Sequence, residues 1–435
     1  MKVYIETYGC QMNEYDSELV KAVLKDQNLS FTTSLAKADI VLINTCSVRE
    51  NANRKIYARV HEVRHLKKDQ SFYIGILGCM VTNLGKELFD LPVDFLAGPD
   101  SYRRLPAMIN ESIAMQSTIL DDKLSKQETY QNIYPLRQKG VNAWISVMRG
   151  CNNFCSFCVV PYTRGRERSK SLMDIYNECQ RLADEGFRQV TLLGQNVNSY
   201  HHEGNDFAAL LDKVSEIDGI KRIRFVSPHP KDFPGSLIDI VAQNDKICNH
   251  IHLPLQAGND RILGLMRRTY TQKQYLELVQ RIKEAIPDIT LTTDIIVGFP
   301  TETAAECKDT KNVLEKVRFD SSFIFKYSER PGTLAAKKYP DDIAEEEKTR
   351  RIVSLNELQK EISLQKNQSH IGKVHDVLLE KKSTKKSTQD YQGRNDGNKV
   401  VIISKGPYQI GDFLRVKIED ASAHTLMGTV IAPQS

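Results

Sequence analysis

Three cysteines lie within eight residues, at positions 151, 155 and 158, in the spacing C-x3-C-x2-C. A structural zinc site or an ordinary ferredoxin cluster takes four protein ligands. Three thiolates on a four-iron cube instead leave one iron without a protein ligand, and that iron can bind a molecule that reacts. Zinc is the alternative, but no fourth Cys or His lies close to Cys151, Cys155 and Cys158 in the sequence. The spacing therefore favours a four-iron cluster with one open iron.

A second set of three cysteines, Cys10, Cys46 and Cys79, shares one placement, because each follows a predicted strand near the N-terminus. The carboxyl ends of neighbouring parallel strands lie at one edge of a sheet, where open α/β sheets bind ligands. Gly9 and Gly78 would let the backbone and inorganic sulfide approach closely. The alternative is three ordinary buried cysteines, which the repeated placement disfavours. We therefore expect a second 4Fe-4S cluster, again with one iron left open.

The elements that must position the second set are predicted from hydrophobic patterning. Residues 1–116 alternate helical stretches with short apolar runs, which predicts a small parallel α/β domain. The predicted strands are Val3–Glu6, Ile40–Asn44 and Tyr73–Leu77. Residues 117–139 are polar and lack sustained periodicity, so we expect a linker there.

Two further regions follow the linker. Residues 140–368 contain six strand–helix units, which predict a (β/α)6 partial TIM barrel with ligands at the carboxyl ends of its strands. Cys151 directly follows the first of these strands, where that rule places chemistry. Residues 369–435 carry short β-rich runs with Gly and charged turns, which predict a small antiparallel β-barrel. The predicted fold class is therefore α/β, with a C-terminal β-barrel.

Composition excludes several classes of protein. Of the 435 residues, 40% are hydrophobic and 26% charged, which is typical of a soluble globular protein. Apolar runs such as Ile40–Ile43 are far too short to span a membrane, and the N-terminus has no signal-peptide pattern. We therefore expect a cytoplasmic protein whose nine cysteines do not form a disulfide framework. The formal net charge of +5 permits a nucleic-acid partner without requiring one.

Four motifs in a fixed order carry a family resemblance. They are residues 44–50 (NTCSVRE), 149–165 (RGCNNFCSFCVVPYTRG), 253–260 (LPLQAGND) and 294–303 (DIIVGFPTET). With the two cysteine sets and the β-rich tail, the whole chain resembles the methylthiotransferases of the radical S-adenosylmethionine (SAM) superfamily. The first two motifs look like the tRNA-modifying branch called MiaB. The resemblance implies an N-terminal methylthiotransferase domain, a radical SAM core and a C-terminal TRAM RNA-binding domain.

The resemblance also implies an activity. The branch converts N6-dimethylallyladenosine at position 37 of tRNA to its 2-methylthio derivative. Carbon 2 of adenine has no acidic proton and no leaving group, so a carbon radical suits the reaction better than acid–base or nucleophilic catalysis. Two SAM molecules are implied per turnover: one methylates the sulfur carried by the auxiliary cluster of Cys10, Cys46 and Cys79, and the other yields the 5'-deoxyadenosyl radical. A monomer is expected, with the tRNA anticodon loop, an external electron donor and a sulfur source as partners.

The expected SAM contacts follow from the same resemblance. Many radical SAM proteins carry a Gly-Gly-Glu-Pro stretch after the second barrel strand, and residues 193–198 (LGQNVN) stand there without its carboxylate. Gln195 and Asn196 are therefore assigned to SAM, together with Asp294 at the start of the fourth motif. Phe157 is expected near the SAM adenine, with core packing as its alternative. No residue is assigned as a catalytic acid, base or nucleophile.

Basic residues in three parts of the chain are candidate RNA contacts, and a solvated protein face is the alternative for each part. The candidates are Arg49, Arg54, Arg164, Arg166, Lys385 and Arg394. Contacts to phosphate would make binding weaken steeply with salt. The target base is expected to be flipped or unstacked, so that its edge can reach the site.

Two other functions stay open. One is the methylthiotransferase branch that acts on threonylcarbamoyl-adenosine in tRNA, and the Ser47–Glu50 stretch argues against it. The other is a non-catalytic iron–sulfur electron carrier. A carrier would need neither a partial barrel around the cysteine loop nor a β-rich tail suited to RNA.

Overall fold

The computed structural model describes residues 1–47, 50–67, 72–384 and 387–433, without the side chains of 50–54, 432 and 433. The elements of the N-terminal region are β1 (Lys2–Thr7), α1 (Gln11–Lys25), β2 (Ser30–Phe31), β3 (Ile40–Thr45), α2 (Glu50–Leu66), β4 (Tyr73–Gly78), α3 (Cys79–Leu84), β5 (Phe95–Ala97), α4 (Leu105–Met115) and β6 (Ile119–Asp121). The six strands form one parallel sheet in the order β2-β1-β3-β4-β5-β6. A hydrophobic core covers each face, which is why all six residues of β3 are buried and its sequence is almost continuously apolar.

The segment predicted as a linker is not wholly irregular. Its first residues form β6, which extends the sheet by pairing with β5. Tyr130 is fully buried in one of the two cores, and its ring stacks on that of Tyr102 at 5.6 Å. Residues 117–139 are therefore partly attached to the N-terminal region. A three-residue strand and a lone buried tyrosine are too short to produce a recognisable hydrophobic period.

The central region is an open barrel with helices outside it. Its elements are β7 (Asn142–Ser146), β8 (Met148–Arg149), α5 (Val160–Thr163), β9 (Arg168–Ser169), α6 (Leu172–Asp184), β10 (Gln189–Leu193), β11 (His201–His202), β12 (Asn205–Asp206), α7 (Phe207–Ser215), β13 (Arg222–Phe225), α8 (Gly235–Gln243), β14 (His250–His252), α9 (Asp260–Leu265), α10 (Gln272–Ala285), β15 (Thr290–Val297), α11 (Ala304–Val317), β16 (Ser321–Lys326), α12 (Leu334–Lys338) and α13 (Glu345–Gln368).

Six parallel strands of this region form two sheets, β13-β10-β7 and β14-β15-β16. A parallel bridge from Ile223 to Ile247 lies between the two sheets. The order along the wall follows the chain, and β7 and β16 are the open edges, which confirms the predicted partial barrel. Helix α1 of the N-terminal region packs on this barrel, since Met12 and Tyr15 form a small core with Leu193 and the half-buried Trp144.

The C-terminal region is a closed five-stranded barrel in the order β17-β18-β19-β21-β20. Its strands are β17 (Val374–Lys381), β18 (Asp390–Arg394), β19 (Val400–Ser404), β20 (Phe413–Ala421) and β21 (Thr425–Pro433). The prediction of an antiparallel barrel needs one correction, because four ladders are antiparallel and the β19–β21 ladder is parallel. No helix in the described parts of the chain is both long and apolar enough to cross a membrane.

Two buried arginines attach this barrel to the central region. Arg222 donates to the carbonyls of Arg394 and Asp376 at 2.8 and 2.6 Å. Arg224 donates to the carbonyls of Asn395 and Asp396, both at 2.7 Å. Both arginines lie on β13, and Arg222 is its first residue. The β-barrel therefore contacts the amino ends of the central strands, the end opposite to the cysteine loop.

Candidate functional site

The first cysteine set lies at the carboxyl edge of the N-terminal sheet. Cys46 and Cys79 directly follow β3 and β4, whose last residues are paired in register. Cys10 follows β1 and is the N-cap of α1. A Cβ placed on Gly9 would lie only 2.8 Å from the Cβ of Cys46, so the chain at Cys10 passes close to Cys46. The structure thus brings together three cysteines that are more than 30 residues apart in the sequence.

Two buried asparagines hold these turns together. Asn13 Nδ2 donates to the carbonyl of Thr45 at 2.8 Å and to Oδ1 of Asn44 at 3.2 Å. Asn44 Nδ2 donates back to the carbonyl of Asn13 at 2.9 Å. The Cys10 thiol donates to Oδ1 of Asn13 at 3.3 Å. Sequence reasoning missed both residues, because a buried amide belongs to neither a hydrophobic period nor a charge pattern. Their signals in the sequence are that Asn44 is the first residue of the motif at residues 44–50 and that Asn13 stands close to Cys10.

The second cysteine set lies on the loop after β7 and β8, at the carboxyl end of the first barrel strand. Gly150 adopts a φ of +80°, and a Cβ there would overlap the carbonyl oxygen of Arg166, so only glycine fits before Cys151. Ser156, buried between the cysteines, anchors the loop to the end of α9. Its hydroxyl and its amide donate to two consecutive carbonyls there, at 2.7 and 3.0 Å.

Burial raises the thiol pKa in both sets. Desolvation raises the pKa of Cys151 to about 11 and that of Cys158 to about 12, and it also raises the pKa of Cys79. Ligation to a metal deprotonates such a thiol outright, so these cysteines suit iron ligation better than nucleophilic catalysis. Within the described ranges, no group of three His, Cys, Asp or Glu side chains could hold one metal ion. A four-iron cube does not require such convergence, because each of its thiolates binds a different iron.

In each cysteine set, one thiol is contacted by a different buried arginine. Sequence reasoning missed both contacts. Nη1 of Arg268 lies 3.3 Å from Sγ of Cys155, and its Nε donates to the Tyr270 hydroxyl at 3.0 Å. Nε of Arg164 lies 3.1 Å from Sγ of Cys79. A guanidinium beside sulfur favours the thiolate over the thiol. Both sets are therefore suited to bind iron as negatively charged thiolates.

A buried ionic bridge joins the two cysteine regions. Asp16 on α1 is fully buried, and its carboxylate accepts from Nη1 of Arg149 and from Nη2 of Arg164, both at 2.8 Å. Arg149 ends β8 and Arg164 follows α5, so the two arginines flank the second cysteine set. At the same interface Arg168 pairs with Asp100 at 2.7 Å. A single aspartate in a helix has no sequence pattern that would reveal this role.

Gln195 and Asn196 lie beside the second cysteine set. Oε1 of Gln195 accepts from the Gly150 amide at 2.5 Å. Asn196 is buried, and its Nδ2 donates to Oδ2 of Asp232 at 2.9 Å. Its Oδ1 is also buried and accepts from no group in the described parts of the chain. A buried acceptor of this kind suits a donor supplied by a ligand.

Asp294 and Phe157 are less buried. Asp294 is on β15, where its neighbour Ile295 faces the main core, and its Oδ2 lies 3.2 Å from Nε2 of His252. Alternation along the strand puts Asp294 on the inner wall of the barrel. Phe157 is half-buried and packs against the main hydrophobic core, so core packing accounts for part of its surface.

The prediction that Arg164 contacts RNA is wrong. Its side chain is only 4% exposed and is bonded to Asp16 and Cys79, so it cannot reach a phosphate. A run of basic residues does not show which of them turns inward. Arg394 is half-buried, and its guanidinium is engaged by the carbonyl of Asn398 at 2.8 Å and by Glu380 at 3.4 Å.

Arg166 is the remaining described candidate for an RNA contact, and it faces solvent. Its guanidinium lies 4.2 Å from the centroid of the Phe154 ring. The Phe154 ring in turn makes an edge contact at 5.9 Å with that of Tyr162, which is 44% exposed. Arg49, Lys385 and the side chain of Arg54 lie outside the described residues.

Known families match three parts of the chain, and curated proteins match nearly all of it. Residues 145–314 match the Radical SAM superfamily, residues 2–98 match Uncharacterized protein family UPF0004, and residues 368–431 match the TRAM domain. The tRNA-2-methylthio-N(6)-dimethylallyladenosine synthase of Porphyromonas gingivalis strain W83 is 46% identical, over 99% of this chain and 95% of that protein. Proteins of the same name from Chloroherpeton thalassium and Parabacteroides distasonis are 45% and 44% identical, over 99% and 98% of this chain and 96% and 95% of their own length.

Solved structures show the same fold at low identity. The radical SAM methyltransferase TsrM from Kitasatospora setae, with cobalamin and a [4Fe-4S] cluster bound, superposes with a TM-score of 0.58 at 14% identity, over 77% of this chain and 74% of that one. The cobalamin-dependent SAM radical enzyme OxsB, with aqua-cobalamin and SAM bound, gives a TM-score of 0.55 at 11% identity, over 83% and 56%. These likenesses concern the fold alone.

Proposed function

The chain belongs to the family of tRNA-2-methylthio-N(6)-dimethylallyladenosine synthases, and we propose that it adds a methylthio group to carbon 2 of N6-dimethylallyladenosine at position 37 of tRNA. The observation that carries this proposal is the full-length match, which spans both cysteine sets and the C-terminal barrel. The threonylcarbamoyl branch and the non-catalytic electron carrier are not favoured, because the relatives that match nearly the whole chain are named as dimethylallyladenosine synthases.

SAM and two 4Fe-4S clusters are the cofactors of this reaction. The residues that would hold the SAM-binding cluster are Cys151, Cys155 and Cys158, and those of the auxiliary cluster are Cys10, Cys46 and Cys79. When bound, these groups supply an electron that splits the sulfonium of SAM and a site for the transferred sulfur. The chain contributes the thiol positions and a guanidinium beside each set, and it buries four of the six thiols: Cys46, Cys79, Cys151 and Cys155. Cys10 is the exposed member of the auxiliary set, so a sulfur source would approach from that side.

The proposed SAM contacts lie at the carboxyl ends of the barrel strands. Oδ1 of Asn196 is buried without an internal donor, which suits an N–H of SAM. Gln195 supports the loop through its bond to the Gly150 amide. Asp294 on the inner wall would orient SAM hydroxyl or amino groups, and Phe157 would contact the adenine with the part of its ring that the core leaves free.

The substrate is tRNA, and Arg166, Phe154 and Tyr162 form the proposed contact beside the SAM-binding loop. Exposed aromatic rings and an arginine plane are surfaces on which unstacked RNA bases pack. An Arg166→Ala variant should bind tRNA more weakly, and the slope of log affinity against log salt should fall by about one if Arg166 contacts a phosphate. Arg188→Ala, which removes another exposed arginine of the same region, is the control. An unchanged slope would remove Arg166 from the RNA surface.

The remaining partners are also proposals. An external electron donor must reduce the SAM-binding cluster, and a sulfur source must replace the sulfur that leaves with each product. We place the reaction in the cytoplasm, where tRNA is available. A monomer suffices, because both cysteine sets belong to one chain.

The decisive experiment is mass spectrometry of tRNA from a strain that lacks this gene. The methylthio group should disappear while the dimethylallyl group stays, and the wild-type gene should restore it. Cys151→Ala and Cys46→Ala should fail to restore it, whereas Cys179→Ala, which changes a buried cysteine outside both sets, should succeed. Normal modification in the deletion strain would refute the proposal. A defect confined to threonylcarbamoyl-adenosine would favour the rival branch.

Cofactor content provides a second test. Two four-iron cubes give about eight iron atoms per chain, and Cys151→Ala or Cys46→Ala should each remove about half of them. Reduced wild-type protein should convert SAM to 5'-deoxyadenosine. Cys46→Ala should retain that cleavage, because its lesion lies in the auxiliary set, and Cys151→Ala should lose it. Equal loss in both variants would contradict the division of roles between the two sets.

A further inference from the structure

Arg164 belongs to the central region but contacts a cysteine of the N-terminal region. It follows α5, six residues after Cys158, and its Nε lies 3.1 Å from Sγ of Cys79. The corresponding contact in the other set, from Arg268 to Cys155, stays inside the central region. Burying a guanidinium where two regions meet carries a desolvation penalty. Packing within the central region alone therefore does not account for the position of Arg164.

The hydrogen bonds of Arg164 are incomplete within the chain. Nη2 donates to Oδ2 of Asp16 at 2.8 Å, and Nε is directed at the Cys79 sulfur. Nη1 is buried and has no acceptor in the described parts of the chain. A buried guanidinium N–H without a partner costs free energy. That cost is removed when an acceptor outside the chain occupies the neighbouring space.

An auxiliary cluster would supply such an acceptor and the opposite charge. A four-iron cube held by three thiolates is negatively charged, and hydrogen bonds to its sulfurs and nearby charges set its reduction potential. We propose that Arg164 is the counter-charge and hydrogen-bond donor of the cluster held by Cys10, Cys46 and Cys79. The inference rests on the proposed function, because it requires that this cluster is present. Arg164 is then a positioning residue that acts on the cofactor and not on the tRNA.

Asp16 gives this contact a second consequence. Its carboxylate accepts hydrogen bonds from Arg164 and Arg149, so one buried group on α1 binds both ends of the loop that carries the second cysteine set. Helix α1 itself begins directly after Cys10. The loop for one cluster and the first ligand of the other are thus attached to the same carboxylate. The bridge fixes the separation between the sulfur-carrying site and the SAM-binding site, which a transfer between them requires.

The test isolates the auxiliary cluster. In a full-length background with Cys151, Cys155 and Cys158 changed to Ala, only the auxiliary cluster can assemble. Arg164→Gln and Arg164→Lys are introduced into this background, with Arg188→Gln as the exposed control. Iron and sulfide content, the electron paramagnetic resonance spectrum of the reduced protein and the midpoint potential are measured under anaerobic conditions. Trp144 fluorescence reports whether the region interface is folded.

Loss of a positive donor should make the cluster harder to reduce. Arg164→Gln should therefore shift the midpoint potential to a more negative value and alter the resonance spectrum, while Arg164→Lys should shift it less and Arg188→Gln not at all. A wild-type potential and spectrum in a fully loaded Arg164→Gln variant would overturn the inference. If the glutamine variant cannot keep its cluster, the lysine variant decides. A cluster retained in Arg164→Lys supports the role of the positive charge. Loss of the cluster in both variants contradicts that role.

Absence of the auxiliary cluster and absence of a role for Arg164 would give different results. If the background protein with Arg164 intact holds no iron, the auxiliary cluster is absent and the proposed function is at fault. If it holds about four iron atoms and the variants behave alike, only the role of Arg164 is wrong.

Discussion

Replacing Asp16 by Asn should destabilise the interface between the N-terminal and central regions by about 3 kcal/mol. Asn keeps the shape of the side chain but removes the charge that two buried guanidinium groups share. Arg149 and Arg164 are 1% and 4% exposed, so neither can turn to water. Breaking a buried ion pair by removing one partner costs about 3–5 kcal/mol. We take the lower end, because Asp100 lies 3.9 Å from Arg149 and supplies part of the lost attraction.

The only tryptophan of the chain is well placed to report this change. Trp144 is half-buried on β7 and packs against the core formed by Met12, Tyr15 and Leu193, where α1 meets the barrel. Anaerobic urea unfolding followed by Trp144 fluorescence therefore reads the interface directly. Asp26→Asn, an exposed change at the C-cap of the same helix, is the control and should shift stability by no more than about 0.5 kcal/mol.

A double-mutant cycle shows whether the cost is due to the ion pair. Arg149→Met removes the other partner, so Asp16→Asn should cost less in that variant than in the wild-type protein. A loss below about 1 kcal/mol for Asp16→Asn alone would mean that the carboxylate does not pair with both arginines in solution. If the free-energy costs of Asp16→Asn and Arg149→Met are strictly additive, Asp16 does not pair with Arg149 in solution.

Three further changes test other parts of the structure. Gly150→Ala should displace the cysteine loop, because its Cβ would meet the carbonyl of Arg166, and iron analysis should show loss of about half the iron with the auxiliary cluster retained; full iron content would contradict this. Arg222→Gln combined with Arg224→Gln should release the C-terminal barrel, since each of the four lost hydrogen bonds has a charged donor and is worth about 1.5–3 kcal/mol. Limited proteolysis after α13 should accelerate while SAM cleavage persists. An unchanged digest would refute the docking role of the two arginines. Phe157→Ala should raise the KM for SAM in the cleavage assay, and an unchanged KM would leave the ring with core packing alone.

The sequence alone was sufficient to single out the two cysteine sets and to predict the main architecture. Cys151, Cys155 and Cys158 share one short loop whatever the rest of the chain does, because their spacing is local. Cys46 and Cys79 stand directly after strands whose apolar runs are nearly continuous, and such runs mark the buried centre of a parallel sheet. The rule that parallel strands end at one edge then brings the two thiols together.

One strand of the C-terminal barrel carries no local pattern that would predict it. Strand β18, Asp390–Arg394, contains one buried apolar side chain, Tyr391, and an interior glycine. It is a strand because β17 and β19 pair with it on either side. The parallel ladder between β19 and β21 likewise comes from barrel closure, which depends on strands distant in sequence.

Only the tertiary structure decided what the charged residues do. Arg164 and Arg166 stand two residues apart in one basic run, yet the first is buried in the protein and the second faces solvent. A buried guanidinium is stable only beside a negative partner, and the partner of Arg164, Asp16, lies 148 residues away on another region. The sequence therefore singled out both proposed cysteine sets, one by its local spacing and the other by its placement after strands. The contact between the two sites depends on how the regions pack, because electrostatic pairing acts through space and leaves no period in the sequence.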